Sequence, residues 1–277
     1  MSYRLVALDL DGTLLDSGLA IRPESVEVIA EARRQGVEVM LVTGRHHVVT
    51  APYHRQLGLE TPAICCNGTY LYDFGAQRAS LGNPLSRTQA LLLLQRIRER
   101  GILALMYVEN AMTYEATEPH LARMLAWAES FPPAERPALR RIQSFEDEAI
   151  RARTIWKFVV THPTREPLRT FVAEIEREMG LSCEWTDENR VDIAQSGNSK
   201  GALLAQWIES RAIAASQVVA FGDNFNDISM LRLAGLGVAM GNSDPEVQQS
   251  ADWVAGSHDS SAIADTLRRF VLKGSPT

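Results

Sequence analysis

Apolar residues fall along the chain in short runs separated by amphipathic stretches, and this alternation predicts strands and helices in turn. Residues 3–8 read as a buried strand, 23–35 as a helix closed by Gly36, and 37–42 as a second apolar strand, which together make a βαβ unit. A helix over 46–57 ends near Gly58, a strand follows at 63–66, and residues 70–72 open a small hairpin. The C-terminal part repeats the rhythm with a helix at 200–211, a strand at 218–221, a helix at 226–233, a strand at 237–240 and a closing helix at 260–272. Strands alternating with helices specify an α/β fold built on a doubly wound parallel sheet.

The middle of the chain departs from that rhythm. After Pro84 comes a Leu-rich amphipathic helix to Arg100, then a strand at 104–108, a helix at 119–128 and a Pro-rich loop at 131–137. A strand at 155–161, a helix at 168–179 and two short strands at 182–185 and 191–194 complete the stretch. These elements form an α+β module of their own. The expected division is therefore residues 1–82 and 193–277 as one domain, with 83–192 inserted as a second.

Composition narrows the function classes. With 277 residues, 45% hydrophobic and 22% charged, the chain can bury cores for two domains, which excludes intrinsic disorder. A net charge of -6 provides no basic face for a nucleic-acid backbone, so no nucleic-acid partner is expected. The Leu91 to Leu94 run stops at Gln95 and Arg96, so no membrane span is expected. The N-terminus shows no signal-peptide pattern, and a cytoplasmic location is expected. The three cysteines, Cys65, Cys66 and Cys183, make no disulfide framework. Cys65 and Cys66 close an apolar strand and read as buried thiols rather than nucleophiles.

Chemistry concentrates at strand ends. The first strand delivers Asp9-Leu10-Asp11-Gly12-Thr13 at its C-terminal edge, where open α/β sheets place their ligands. Carboxylates two residues apart leave a strand on the same side, and Gly12 permits a sharp turn, so Asp9 and Asp11 can face one small volume. Such a pair divides naturally into nucleophile and acid. The second strand ends in Thr43-Gly44-Arg45, where a hydroxyl and a backbone N–H can hold phosphate oxygens. Lys200 opens a helix, whose N-terminus also favours an anion. A third acidic cluster, Gly222-Asp223-Asn224-Phe225-Asn226-Asp227, emerges from strand 218–221. Hard oxygen donors of this kind suit Mg²⁺, with Asp223 as a ligand and Asp227 behind it, orienting the loop or Lys200.

Histidines do not add a metal site. His46 and His47 point about 100° apart on a helix, and His54 lies too far along to join them in a tetrahedral set. His46, just after the Thr-Gly-Arg turn, is expected at a substrate entrance.

The four clusters in this order resemble the motifs of the haloacid-dehalogenase-like (HAD) superfamily of phosphohydrolases. The short interval between Asp9 and Thr43 and the long one before Lys200 resemble the Cof-type branch, whose HAD-like core carries an inserted α+β (C2-type) cap. The resemblance implies that Asp9 attacks phosphorus and becomes an aspartyl phosphate, while Asp11 serves as general acid and then base. It further implies Mg²⁺ held by Asp9, the Asp11 main-chain carbonyl and Asp223. Phosphate oxygens would be bound by Lys200, Thr43, the backbone at Leu10 and Gly44, and Asn226. A dehalogenase, having no leaving group to protonate, would lack Asp11. Phosphomannomutases share the first motif and remain a competing reading, as does a phosphoacceptor switch, although a switch needs neither Asp11 nor the inserted module.

Substrate choice belongs to the inserted module, where Tyr107, Tyr114, Trp156 and Trp185 can stack on a planar ring but, as strand residues, more commonly belong to a core. Residues 43–47, 62–73, 105–108, 156–158, 183–185 and 219–231 are similar to the Cof-type enzymes that hydrolyse pyridoxal phosphate. That similarity implies a small phosphorylated metabolite as partner, pyridoxal 5′-phosphate foremost, with breadth toward sugar phosphates and flavin mononucleotide.

Overall fold

The computed structural model describes residues 3–117 and 119–272. Its contacts divide the chain into two units. One comprises the chain up to Arg45, Pro52–Leu81 and the chain from Ser199 onward, and the other comprises His46–Ala51 with Gly82–Asn198.

The first unit begins with β1 (Leu5–Leu8), α1 (Pro23–Arg34), β2 (Glu38–Leu41), α2 (His47–Gln56, whose first turn is assigned to the second unit), β3 (Ala63–Cys65), β4 (Tyr70–Asp73) and β5 (Arg78–Ser80). The second unit runs α3 (Arg87–Glu99), β6 (Leu103–Val108), β7 (Ala111–Tyr114), α4 (Pro119–Glu129), β8 (Leu139–Arg141), α5 (Phe145–Arg151), β9 (Ile155–Thr161), α6 (Arg165–Met179), β10 (Ser182–Asp187) and β11 (Arg190–Ala194). The chain then returns to the first unit with α7 (Lys200–Ser210), β12 (Val218–Gly222), α8 (Ile228–Leu233), β13 (Leu236–Ala239), α9 (Pro245–Gln249), β14 (Trp253–Val254) and α10 (Ala262–Phe270).

Five parallel strands form the sheet of the first unit in the order β14-β13-β12-β1-β2. Leu5, Val6, Ala7 and Leu8 of β1 are all fully buried, the mark of a central strand covered on both faces. Leu5 and Ala7 share one core with Met40, Val218, Ala220 and the α7 residues Leu203, Leu204 and Trp207. Leu8 lies opposite both Leu41 and Phe221, which levels the C-terminal ends of β1, β2 and β12 at one edge. Beside this sheet, β3, β4 and β5 form a small antiparallel sheet.

The second unit contains a six-stranded sheet in the order β10-β11-β9-β6-β7-β8, antiparallel except between β7 and β8. Its helices carry their own start signals. Ser86 and Gln89 make a reciprocal capping box at α3, and Ser144 caps α5.

The expected α/β architecture is the observed one, with local differences. A strand was expected through residue 66, but Cys66 takes φ 51° and turns the chain away after Cys65. A helix was expected from residue 226. Phe225–Asp227 instead make a tight 3₁₀ turn, because the Asp227 carboxylate draws in the N–H groups of Asp223 and Asn224, and α8 starts at Ile228.

Candidate active site

Three strand ends supply the site. Asp9 follows β1, its N–H donating to the Phe221 carbonyl at 3.1 Å, which ties it to β12. Asp223 follows β12, and Thr43 stands just beyond β2, its N–H donating to Ile64 O at 2.8 Å. Lys200 is the first residue of α7. Ser199 caps that helix through a bond from the Ala202 N–H at 3.0 Å, which fixes where the lysine leaves the backbone.

The lysine is buried to 1% exposure, an expensive place for an ammonium unless it is paired. It is paired twice: Nζ lies 2.6 Å from Asp9 Oδ1 and 2.6 Å from Asp227 Oδ1. Burial alone would lower its pKa, but the two carboxylates outweigh that and raise it. Lys200 is therefore a fixed positive charge. Asp227 Oδ2 meanwhile accepts from the N–H groups of Asp223 and Asn224, each at 3.0 Å, so both its oxygens are engaged inside the protein.

Oxygen atoms of Asp9, Asp223 and Asp227 lie within 4.8 Å of one another. Three carboxylates thus face one ammonium, and negative charge is in excess. Burial is the main force raising the pKa of Asp9 well above the ordinary aspartate range, with Asp227 and Asp223 adding to it against the pull of Lys200. Asp223 is pushed up to about 7 by burial and then by Asp227, although Thr13 Oγ1 donates to it at 2.9 Å. A positive charge near Asp9 and Asp223 would relieve both, and the donors are hard oxygens. The main chain also closes on this volume: Gly12 has φ 74°, and a Cβ there would collide with the Asp223 carboxylate. The residues fit a small divalent cation.

Asp11 faces differently. It is half exposed, and Arg45 clasps it with Nε 2.7 Å from Oδ2 and Nη2 2.5 Å from Oδ1. Arg45 itself rests over the Tyr53 ring at 5.2 Å. Thr43 Oγ1 accepts from the Arg45 N–H at 3.1 Å, which folds the Thr43-Gly44-Arg45 turn onto itself. Leu10 is fully buried between the two aspartates, and Asn226, in the turn before α8, donates through Nδ2 to Asn67 Oδ1 at 3.1 Å.

The haloacid dehalogenase-like hydrolase family matches residues 6–267, from β1 to α10. This chain belongs to that family. The HAD-like chain is 46% identical over 272 residues to pyridoxal phosphate phosphatase YbhA of Escherichia coli, covering 98% of this chain and 100% of that protein. It is 26% identical to the 5-amino-6-(5-phospho-D-ribitylamino)uracil phosphatase YcsE of Bacillus subtilis, over 98% of this chain and 97% of that one. A haloacid dehalogenase-like hydrolase of Bacteroides thetaiotaomicron has the same fold, with a TM-score of 0.86 at 22% identity over 97% of this chain and 99% of that chain. The HAD-like chain is a phosphatase.

The nine residues expected to carry the chemistry, hold phosphate or hold the metal, namely Asp9, Leu10, Asp11, Thr43, Gly44, Lys200, Asp223, Asn226 and Asp227, all lie in the first unit. Among them Asp9, Lys200 and Asp227 are joined by direct hydrogen bonds, and Asp11 pairs with Arg45. Arg45, Thr13, Asn67 and Asn242 were not foreseen as partners of the site. Asn242 Nδ2 donates to the Gly12 carbonyl at 2.9 Å and so steadies the turn after Asp11. Thr13 and Arg45 stood inside motifs already noticed, but nothing in sequence spacing connects Asn242 to Gly12.

Elsewhere the expectations separate. His46 is fully buried, with Nε2 2.8 Å from the Val108 carbonyl and its ring edge-on to Tyr107, both within the second unit. That is a packing role, not the exposed position expected at an entrance. Tyr107, Tyr114 and Trp156 are likewise buried, as strand residues commonly are, and Trp185 is half buried with Arg165 over its ring at 5.0 Å. Cys65 and Cys66 are buried and no disulfide forms, while burial pushes the Cys183 thiol up to about 12, far from a nucleophile. No helix among the described residues is long and apolar enough to cross a membrane.

Proposed function

We propose that this phosphatase hydrolyses phosphate monoesters of small metabolites, pyridoxal 5′-phosphate foremost, with Asp9 as nucleophile. The observation that carries the reading is the Lys200 ammonium, buried and locked between Asp9 and Asp227 at 2.6 Å each. A fixed cation bonded to an oxygen of the attacking carboxylate suits a reaction in which both partners are anions.

In this reading an Asp9 oxygen attacks phosphorus, the ester P–O bond breaks, and Asp11 gives its proton to the departing oxygen. Asp11, now a carboxylate, then takes a proton from water, and that water opens the acyl phosphate to regenerate Asp9 and release inorganic phosphate. Lys200, Thr43, the backbone N–H groups at Leu10 and Gly44, and Asn226 hold the phosphate oxygens throughout. Asp9, Asp223 and the Asp11 main-chain carbonyl would hold Mg²⁺, which supplies charge neutralisation between the anionic ester and the carboxylates. Asp227, with its oxygens engaged by Lys200 and two backbone N–H groups, acts through those partners.

Pyridoxal 5′-phosphate as favoured substrate is supported by the identity shared with the Escherichia coli enzyme. Location in the cytoplasm is part of the same reading, as are residues 83–192 as the substrate-selecting domain. A panel of phosphorylated metabolites assayed with Mg²⁺, beside the Asp9→Asn protein and a chelator, tests the whole. Phosphate release should vanish in the variant and in chelator and be fastest with pyridoxal 5′-phosphate. Activity surviving in Asp9→Asn would sink the mechanism, and equal rates across the panel would sink the substrate.

A further inference from the structure

Between β3 and β4 the backbone does something that L-residues avoid. Cys66, Asn67 and Gly68 take φ values of 51°, 56° and 86° in succession. Isolated left-handed residues are ordinary at turns, but consecutive ones, two of them carrying a Cβ, are strained and persist only where the surroundings hold them. The surroundings here are the phosphate-binding motifs themselves. The Asn67 N–H donates to Thr43 O at 3.1 Å and the Cys66 N–H to Arg45 O at 3.0 Å, so the turn is pinned to both ends of the Thr43-Gly44-Arg45 loop. Gly68 packs so closely on the Ser199 carbonyl that a Cβ would collide with it, one residue before Lys200.

Asn67 carries the turn's one polar side chain, and it is buried. Its Oδ1 lies 2.7 Å from where a Gly44 Cβ would stand and accepts from Asn226 Nδ2 at 3.1 Å. An amide nitrogen has two hydrogens. With one committed to Asn67, the direction of the other is set, and Asn226 Oδ1 is buried with no hydrogen-bond partner among the described residues. The strained turn therefore meets three separate stretches that the proposed function assigns to phosphate, namely Thr43 to Gly44, Ser199 to Lys200, and Asn226.

We propose that Asn67 is a positioning residue for the phosphate cradle, aiming the Asn226 amide and holding the Gly44 loop at its height. This rests on the phosphatase reading of the same site, which Asn67 serves without being a catalytic residue. Backbone and side chain can be separated, because glycine accepts the left-handed conformation and lacks the amide, whereas alanine lacks the amide and resists the conformation.

Inorganic phosphate in the presence of Mg²⁺ is the probe, read both as the rise in melting temperature it produces and as its competitive inhibition constant. Asn67→Gly should melt near the parent without phosphate yet bind phosphate about tenfold more weakly, the scale of one charge-assisted hydrogen bond. Asn67→Ala should show the same loss of phosphate affinity on top of a lower melting temperature. Asn226→Ala should lose at most as much, and Asn67→Gly combined with Asn226→Ala should weaken binding no further than Asn67→Gly alone, since the Asn226 amide acts through Asn67. KM should rise more than kcat falls.

Parent-like phosphate binding in both Asn67 variants would overturn the proposal, as would losses that multiply in the double variant. A parent protein that does not bind phosphate at all would instead remove the underlying phosphatase site, and this inference with it.

Discussion

Arg45 grips Asp11 through two parallel hydrogen bonds, Nε to Oδ2 at 2.7 Å and Nη2 to Oδ1 at 2.5 Å. The fork engages both oxygens of the carboxylate at once. To act as acid, Asp11 must leave this clasp, and an incoming phosphate offers Arg45 an alternative anion.

The two proposed tasks of Asp11 separate by choice of ester. An alkyl phosphate needs a proton on its departing oxygen, whereas p-nitrophenyl phosphate releases a stable anion and needs none. Asp11→Asn should therefore slow alkyl esters by about 10²–10⁴-fold, the usual span for a general acid. With the aryl ester, stopped-flow should show a burst approaching one nitrophenolate per active site, followed by slow turnover because no base remains to activate water. Equal slowing of both esters with no burst would remove Asp11 from the chemistry.

Asp223, raised to about 7 from an ordinary 3.8, makes the cation-free protein sensitive to pH. The sign follows from linkage: the native state binds this proton more tightly than the unfolded chain does. The stability tied to the proton is full below about 4 and lost as pH rises toward 7. Melting temperature in chelator should fall across that window more steeply in the parent than in Asp223→Asn. Mg²⁺ must displace the proton, so the stabilisation it gives the parent should grow between pH 5 and 8, a trend the Asn variant should show more weakly because only Asp9 is left to release a proton. Identical pH slopes for the two proteins would refute the assignment.

His47 works in the opposite sense. Burial holds it down at about 3 despite a hydrogen bond involving Asn110, and neighbouring His46 is also pushed down by burial, then by the charges of His47 and Lys157. Unfolded histidine takes up a proton near 6.5 that the native ring refuses, so stability is lost as pH falls from 6.5 toward 3. Equilibrium unfolding in urea at several pH values should give a shallower acid limb for His47→Gln than for the parent. A limb of unchanged slope would mean that this ring is not what the acid attacks.

The sheet and its chemistry were legible in the sequence for a physical reason. A fully buried parallel strand is a continuous apolar run, and β1 and β12 are each followed at once by an aspartate, a residue that an apolar core does not call for. One buried strand, β7, escaped notice because its four residues follow β6 after a two-residue turn, and the other missed elements are those whose signal is weak. Strands β5 and β8 carry exposed Arg78, Arg140 and Arg141 at sheet edges, β14 has two residues, and α5 and α9 are short helices announced mainly by Ser144 and Asp244 caps. Asn67 was beyond reach altogether. Its left-handed φ and its bond to Asn226 depend on packing between segments far apart in the chain, which no local pattern encodes.

Within the second unit, Lys157 of β9 and Asp192 of β11 form a buried ion pair, at 2% and 8% side-chain exposure. Asp192 lies opposite Val159, so Lys157, two residues along β9, is its diagonal neighbour on the same face. Lys157 stands directly opposite Tyr107 on β6, and its ammonium lies 5.0 Å from that ring's centre. Taking both charges out of water is costly, and their attraction does little more than offset that cost, so the pair itself need not stabilise the fold. Removing one partner is another matter, because the other is left charged in a site it cannot leave. Asp192→Asn should cost about 3–5 kcal/mol, read from the urea midpoint at constant m-value. Lys157→Met combined with Asp192→Leu should recover most of it, since an apolar pair of similar volume has no charge to desolvate. A double variant as unstable as the single one would mean that the pair is needed as such, by hydrogen bonding to its surroundings rather than by mutual neutralisation.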